Sequence, residues 1–484
     1  MLPVGILRKL ASQTAIYGLS SMLGRFINFL LVIPHTEYLK TVGDYGDITT
    51  VFAFMAFFNV LLSYGMDTTY FNFIRNGHAP DKVYAIAQKS LFVTTLSFAL
   101  IVVLFNHAAA DFMGFPGKTE YVFICLIFLC FDTLSILPFA RIRYEEKPLK
   151  FAAVKLANIL VNVGLNLYLL THTPEVLKSF SQVSLILIAN AAASLVSFLL
   201  LSPLVFKIQA AFDKDLYKKM LTYAWPLIFV GLAGIVNETL DRTLLKRMLP
   251  DAEGSYQNGI YGAFYKLTMV MTMFVQAFRF AAEPLFFKQK DGEESNRMYA
   301  TVMFWFIGVC GFIFLACMFF IDTLAHLFIR NENFFDNPDG LYIVPILLMA
   351  NLFLGIYYNL SIWYRFTNNT HLGALIAAGG AILTILLNVY LIPSFGFVAC
   401  AWITLLVYVT MTVVSYFMGQ RYYPVPYNVS KYLLLIASAL CIWWVSHLAI
   451  GHILVKWQQF AINILLLALF LLIIWLLQPK RKNA

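Results

Sequence analysis

The sequence predicts an all-α, polytopic membrane protein of about fourteen transmembrane helices. Two six-helix lobes form a parallel repeat around a central cavity, and two further helices follow at the C-terminus. Three observations predict it. The 484-residue chain is 61% hydrophobic and only 12% charged, against roughly 45–50% and ~25% in soluble domains, so its solvent must be lipid. Runs of the ~20 apolar residues that a bilayer-crossing helix needs recur along the whole length. Short motifs return at a near-constant offset.

The apolar runs start near Leu10, Tyr45, Tyr84, Glu120, Phe151 and Gln182. They continue from about Leu221, Ile260, Met298, Ile343, Leu372, Val398, Tyr432 and Gln458. The first is read as a permanent helix. Arg8 and Lys9 precede an apolar run over 10–33, longer than the ~7–15 residues of a signal core, and no small-residue cleavage site follows. No soluble domain fits between the runs. The longest polar gaps, 66–83, 207–219, 287–297 and 322–341, are expected to be loops or interfacial helices. The six cysteines lie inside apolar runs without metal or redox spacing, so packed or lipid-facing thiols are expected.

The net charge of +9 does not point to nucleic acid. Nucleic-acid binders carry clustered basic faces on a soluble fold, whereas here Lys and Arg sit in short gaps between spans. Counted by alternate gaps, 24 fall on the side that holds both termini and 8 on the other. The positive-inside rule then places both termini in the cytoplasm.

The parallel repeat rests on two motif pairs. Gly43-Asp-Tyr45-Gly46 opens the second span, and Gly259-Ile-Tyr261-Gly262 opens the eighth, 216 residues later. Arg143 is followed 23 residues on by Asn166-Leu-Tyr168-Leu, and Arg365 by Asn388-Val-Tyr390-Leu, an offset of 222. Parallel repeats are a transporter signature, with the substrate site between the halves. The expected lobes are 1–206 and 207–420, with the two additional helices in 421–484.

Ionised groups inside spans cost ~2.5–3.5 kcal/mol each on insertion scales, so each is a site candidate. Arg25 lies in the first span beside a polar stripe of Gln13, Tyr17, Ser21 and Asn28 at helical spacing. Two readings stand: the stripe lines a watery cavity, or Arg25 snorkels to the headgroups. The seventh span carries Asn237, Glu238, Asp241 and Arg242. Glu238 and Arg242 have the spacing of a self-satisfied helical pair; otherwise Glu238 or Asp241 meets Arg25 as a gate. Lys266 and Arg279 fall in the eighth span. Asp132, in the fourth, is read either as a proton site or as a structural hydrogen-bond partner. Asp67, Lys155 and Glu283 sit at inner ends, where solvated roles or places in the cytoplasmic charge belt are expected. A basic cavity suits a phosphate or pyrophosphate, which cannot enter hydrocarbon bare, and arginine suits it better than lysine through its planar fork of donors. The histidines show no metal spacing.

With these residues in view, the chain resembles the polysaccharide-transport branch of the multidrug/oligosaccharidyl-lipid/polysaccharide (MOP) flippase superfamily, the O-antigen flippase type. The resemblance covers essentially the whole length. It is carried by 10–28 with Gly24-Arg25, by Gly43-x-Tyr45-Gly46, by Asn237-x-x-x-Asp241-Arg242, by Gly259-x-Tyr261-Gly262 with Tyr265-Lys266, and by Glu283-Pro284. It implies a non-enzymatic flippase of the bacterial inner membrane, with two lobes alternating between inward- and outward-open states. The implied cargo is a polyprenyl-pyrophosphate-linked oligosaccharide moved outward for surface polysaccharide biosynthesis. The pyrophosphate-holding role transfers to Arg25, Lys266 and Arg279, with Asp132, Glu238, Asp241 and Arg242 left for gating or ion coupling. No cofactor is implied, and coupling to H+, to Na+ or to the membrane potential stays open. Expected partners are the lipid-linked oligosaccharide, membrane lipids, and the polymerase and glycosyltransferases of the pathway; one cavity per chain is compatible with a monomer.

Two readings compete within the superfamily. A cation-coupled multidrug exporter would want carboxylates to dominate the cavity, which Asp132 and Asp67 favour and Arg25 opposes. A peptidoglycan lipid-precursor flippase would share the basic cavity. A membrane glycosyltransferase or polymerase would want a large extramembrane loop or an acidic motif, and the outward gap at 322–341 has neither.

Overall fold

The computed structural model describes residues 22–208, 210–288, 292–367, 369–450 and 456–479. Among them every regular element is a helix. The chain runs through α1 (22–30), α2 (Val32–Tyr38), α3 (Val42–Ser63), α4 (Met66–Arg75), α5 (Pro80–Leu104) and α6 (Asn106–Phe112). It continues through α7 (Thr119–Tyr144), α8 (Pro148–Thr171), α9 (Gln182–Val205), α10 (Lys214–Met248), α11 (Asp251–Leu267) and α12 (Met269–Lys288). Then come α13 (Glu293–Phe319), α14 (Ile321–Phe328), α15 (Asp339–Leu360), α16 (Ile362–Phe366), α17 (Thr370–Tyr422), α18 (Val429–Ile450) and α19 (Lys456–Leu477).

The helix ends are written locally. Thr41 and Asp44 form a reciprocal capping box at the start of α3. Tyr64 and Gly65, with φ of 33° and 67°, turn α3 into α4; glycine takes that left-handed backbone without penalty. Pro80 and Pro148 open α5 and α8, where the missing N–H costs nothing. Asp213 caps α10 by accepting from Leu216 N at 3.0 Å.

Among the described residues, eleven helical stretches are long and apolar enough to cross a bilayer. One, α17, has 53 residues, about 80 Å at ~1.5 Å per residue against a hydrocarbon core of ~30 Å. It is therefore two crossings, and the chain bends between them at Gly396, whose φ of 55° and ψ of −141° are non-helical. This matches the spans expected near Leu372 and Val398. The expected eighth span is interrupted at Thr268. The Thr268 N–H bonds Tyr265 O at 3.0 Å and Met271 N bonds Thr268 O at 3.0 Å, so the ladder tightens and the span divides into α11 and α12. The polar gaps do hold short helices: α4 falls within 66–83 and α14 starts at the head of 322–341.

Packing divides the chain into two compact units. The first comprises the described parts of Met1–Ala263 with Ile329–Asp336 and Thr384–Phe397. In it α9 lies along both α7 and α8, α5 lies on α7, and α10 packs along α3 and α4. One core of this unit joins Tyr70, Tyr84, Leu137, Met220 and Ala224, all buried. The second unit comprises Phe264–Phe328, Asn337–Leu383 and the described parts of Val398–Ala484. Here α13 is the organising helix, touching α12, α15, α18 and α19. The lobes expected from the repeat and these packing units are different divisions, since α10 opens the second repeat yet packs within the first unit.

Candidate functional site

Within the first unit the two copies of the Gly-x-Tyr-Gly motif lie against each other. A Cβ on Gly46 would come 2.7 Å from Gly259 N, one on Gly259 2.8 Å from Val42 Cγ1, and one on Gly262 2.6 Å from Thr49 Cγ2. α3 and α11 thus cross backbone to backbone, which only glycine permits. Asn258 Nδ2 ties the crossing by donating to Thr50 Oγ1 at 2.6 Å and to Gly46 O at 3.3 Å. Tyr261 donates to Asp241 Oδ2 at 2.6 Å, and Asp241 Oδ1 accepts from Arg242 N at 2.8 Å.

Beside this crossing sits a buried charge network. The Lys246 ammonium is buried, 3.3 Å from Asp47 Oδ1, 2.7 Å from Asp251 Oδ1 and 5.0 Å from the centre of the Phe115 ring. Ser255 Oγ donates to Asp47 Oδ1 at 2.7 Å, and Lys118 pairs with Asp47 Oδ2 at 3.2 Å. Asp47 and Lys246 are tolerated in the interior because each has several partners.

A second polar feature lies among α1, α3, α7, α8 and α9: a cavity of about 300 Å³. Asp132 and Ser135 enter it from α7, Lys155, Asn158 and Asn162 from α8, and Asn190, Ser194 and Ser197 from α9. Asn28 and Asn59 complete the wall. Asp132, Ser194 and Lys155 all line this cavity. The Lys155 ammonium stands 4.4 Å from the centre of the Phe139 ring. A hydrogen-bonded chain leaves the cavity: Asn162 Nδ2 donates to Asn28 Oδ1 at 3.2 Å, Asn166 Nδ2 to Asn162 Oδ1 at 2.9 Å, and His35 Nε2 meets Asn166 Oδ1 at 3.0 Å.

The residues singled out from sequence fall in several places. Gln13, Tyr17 and Ser21 lie outside the described residues. Arg25 and Asn28 are exposed on α1, and Asn28 shares the cavity wall. Asn237 on α10 accepts from Thr384 Oγ1 at 2.9 Å, Glu238 is exposed, Asp241 is buried, and Arg242 is half-buried. Lys266, half-buried, occupies the last turn of α11, where the helix dipole favours a cation. Arg279 is exposed on α12 and stands 4.9 Å from the centre of the Tyr358 ring. Asp67 pairs with Arg143 at 3.8 Å. Among the described residues no three His, Cys, Asp or Glu converge on a metal site.

Sequence reasoning misplaces one lysine and passes over another. Lys155 was expected at a solvated inner end, yet it enters the cavity with Asp132. A signal was there: Lys155, Asn158, Asn162 and Asn166 recur at helical spacing along one face. Lys246 is not singled out from the sequence, because its partners are residues 47, 251 and 255, which no local pattern connects.

Long apolar helices with polar and charged groups buried among them define a multi-pass membrane protein. The sequence model of the polysaccharide biosynthesis protein family matches residues 10–290, and the chain belongs to that family. The resemblance to a polysaccharide family drawn from the sequence is thereby borne out. The fold is similar to that of the lipid II flippase MurJ in its inward closed conformation. That match has a TM-score of 0.74 and 13% identity, covering 95% of this chain and 97% of that one. It is also similar to a multidrug resistance MATE family transporter of the MOP superfamily in its inward-facing conformation. There the TM-score is 0.60 and the identity 12%, over 84% of this chain and 94% of that one. Such identities speak for the fold alone. A curated relative, the uncharacterized membrane protein MJ1375 of Methanocaldococcus jannaschii, is 21% identical over 204 residues, 41% of this chain. The match spans 45% of that relative's length, less than half.

Proposed function

We propose that this chain carries a polyprenyl-pyrophosphate-linked oligosaccharide from the cytoplasmic to the outer leaflet of the inner membrane by alternating access, for surface polysaccharide biosynthesis. One observation carries the reading. The family match runs over 10–290, and that stretch contains Arg25, Lys266 and Arg279. In this reading the three cations supply charge for the pyrophosphate, sparing it the desolvation cost of bare hydrocarbon. Arg25 and Arg279 are both exposed, so neither guanidinium is sealed inside a packed core. The protein acts as a transporter rather than an enzyme, as a monomer with both termini in the cytoplasm, alongside the polymerase and glycosyltransferases that make and use its cargo. Outward movement of an anionic headgroup is downhill by ~2.3 kcal/mol per charge per 100 mV; resetting the emptied cationic cavity is the step that an ion would help.

The test is export. Arg25→Ala should abolish surface glycan at normal protein level, with lipid-linked oligosaccharide accumulating on the cytoplasmic face, and Arg25→Lys should restore it in part. Full export by the alanine variant removes Arg25 from the mechanism. The fold likeness to a lipid II flippase favours a second reading, a peptidoglycan lipid-precursor flippase. Depletion of the protein separates the two by which lipid-linked saccharide accumulates.

A further inference from the structure

A cavity of about 670 Å³ lies at one end of the second unit, where α13 and α18 finish and α14, α15 and α19 begin. Its size falls within the ~300–1,000 Å³ of small-molecule sites, and none of the cations assigned to the pyrophosphate lines it. Helix ends of this kind meet the membrane surface, where tryptophan and tyrosine are common. An aromatic belt has no need of a buried amide, however, and this cavity has one. Asn463, in its wall, is 6% exposed. Its Nδ2 donates to Phe319 O at 3.1 Å, while its Oδ1 is buried with no hydrogen-bond partner among the described residues. A buried acceptor left unmet is destabilising until a donor reaches it. The same walls carry Tyr342, Trp443 and Trp444 together with Asp322 and Gln459. Trp444 and Tyr342 are 61% and 50% exposed, so both offer surface to an incoming molecule. Trp443 is braced edge to face by the Phe314 ring, 5.7 Å away.

The lining selects among ligands. It includes a carboxylate, Asp322, and among the described residues no Lys or Arg, so a phosphate or an anionic headgroup lacks the charged donors it needs. An acyl chain leaves the Asn463 acceptor unmet. An ammonium suits the carboxylate and the rings but accepts nothing from an amide N–H. An uncharged pyranose uses every kind of group present. Its C–H face lies on an aromatic ring, and its hydroxyls both donate and accept at carboxylate and amides. We propose that this cavity binds a neutral saccharide ring, stacked on Trp444 and hydrogen-bonded by Asp322, Gln459 and Asn463. The binding itself does not depend on the transport reading. Its use in transport does rest on that reading: in the proposed orientation this end of α18 faces outward, and the site receives sugar of the cargo on residues other than those that hold its pyrophosphate.

The experiment is saturation-transfer NMR on the purified full-length protein in nanodiscs. The probes are glucose, galactose, rhamnose and N-acetylglucosamine, with choline and glycerol phosphate standing for the cationic and anionic classes. At least one sugar should show saturable contact at millimolar concentration. Trp444→Ala, at a side chain exposed enough to spare the packing, and Asp322→Asn should each weaken that contact about fivefold or more. Arg25→Ala should bind the sugar as the native protein does. No sugar contact in the native protein overturns the proposal. So does contact by choline or glycerol phosphate in place of sugar, or sugar contact that either cavity variant leaves unchanged. Loss of sugar contact in Arg25→Ala moves the sugar to the proposed transport residues and overturns it as well. Export by Arg25→Ala judges the flippase reading separately.

Discussion

Replacing Gly259 by alanine would wedge α11 away from α3. The new methyl would lie 2.8 Å from Val42 Cγ1, and closer still to the Val42 carbonyl oxygen, where carbon contacts prefer ~3.5–4.0 Å. A backbone carbonyl inside a helix cannot rotate aside, so the helices must part by roughly 1 Å. Overpacking of this kind costs ~1–3 kcal/mol. The Asn258–Thr50 and Ser255–Asp47 hydrogen bonds cross the same junction at 2.6 and 2.7 Å, and each is worth ~0.5–1.5 kcal/mol. With residue 255 changed to cysteine for the assay only the Asn258–Thr50 bond remains to be lost, so the crossing weakens by about 1.5–4.5 kcal/mol, or between roughly tenfold and a thousand-fold in its closed population. The crossing can be read by a disulfide. A Cβ on Gly43 lies 3.4 Å from Ser255 Cβ, at the short edge of the ~3.5–4.5 Å that disulfides span. With the six native cysteines replaced, the Gly43→Cys/Ser255→Cys protein should oxidise readily. Adding Gly259→Ala should cut the cross-linked fraction at least tenfold at fixed oxidant and time. Equal cross-linking with and without the alanine would refute the backbone-to-backbone crossing.

Lys246→Met should lower thermal stability in detergent by about 1–3 kcal/mol, less than for an isolated buried pair because Lys118 stays 3.2 Å from Asp47; Lys246→Met/Asp47→Asn should recover part of the loss, and an unchanged melting temperature for the single variant would count against the network. Asp213 is held below the ordinary carboxylate range by the Leu216 N–H and by Lys82 at 2.7 Å. A depressed carboxylate stabilises fully above its unfolded value near 3.9 and loses that contribution as pH falls through its lower folded value. Native protein should therefore melt higher than Asp213→Ala at neutral pH, and the gap should narrow as acid takes the pH below the ordinary carboxylate range; a gap that does not change with pH would contradict the cap. Arg279→Leu removes an exposed cation–π contact worth ~0.5–1 kcal/mol, so export should fall far more than stability; normal export would detach Arg279 from the cargo.

Most of the fold is legible because lipid leaves a chain few choices: long apolar runs must be helices, and the cap and turn residues at Thr41, Gly65, Pro80 and Pro148 mark their ends. The break at Thr268 is not legible, since the run around it, Lys266 included, is compatible with helix and the interruption depends on where Tyr265 O finds its donors. The glycine motifs are visible as a repeat, but their mutual contact is not, because periodicity places residues on faces and says nothing about which face meets which. The Asp132 cavity was half visible. The amide stripe along 155–166 is a single-helix pattern, whereas its convergence with Ser194 and Asn190 on α9 requires three helices to be placed at once.

The Lys246 network also has a consequence for how the protein is made. Asp47 and Ser255 stand 208 residues apart in the chain, so the carboxylate leaves the ribosome well before its serine and second lysine exist. At about 5–20 residues per second that is a delay of roughly 10–40 s during which Lys118, only 71 residues downstream, is the cation within reach. Of the two lysines that meet Asp47, Lys118 is thus the first to be made, and Lys246 completes the network only once the second glycine motif follows it.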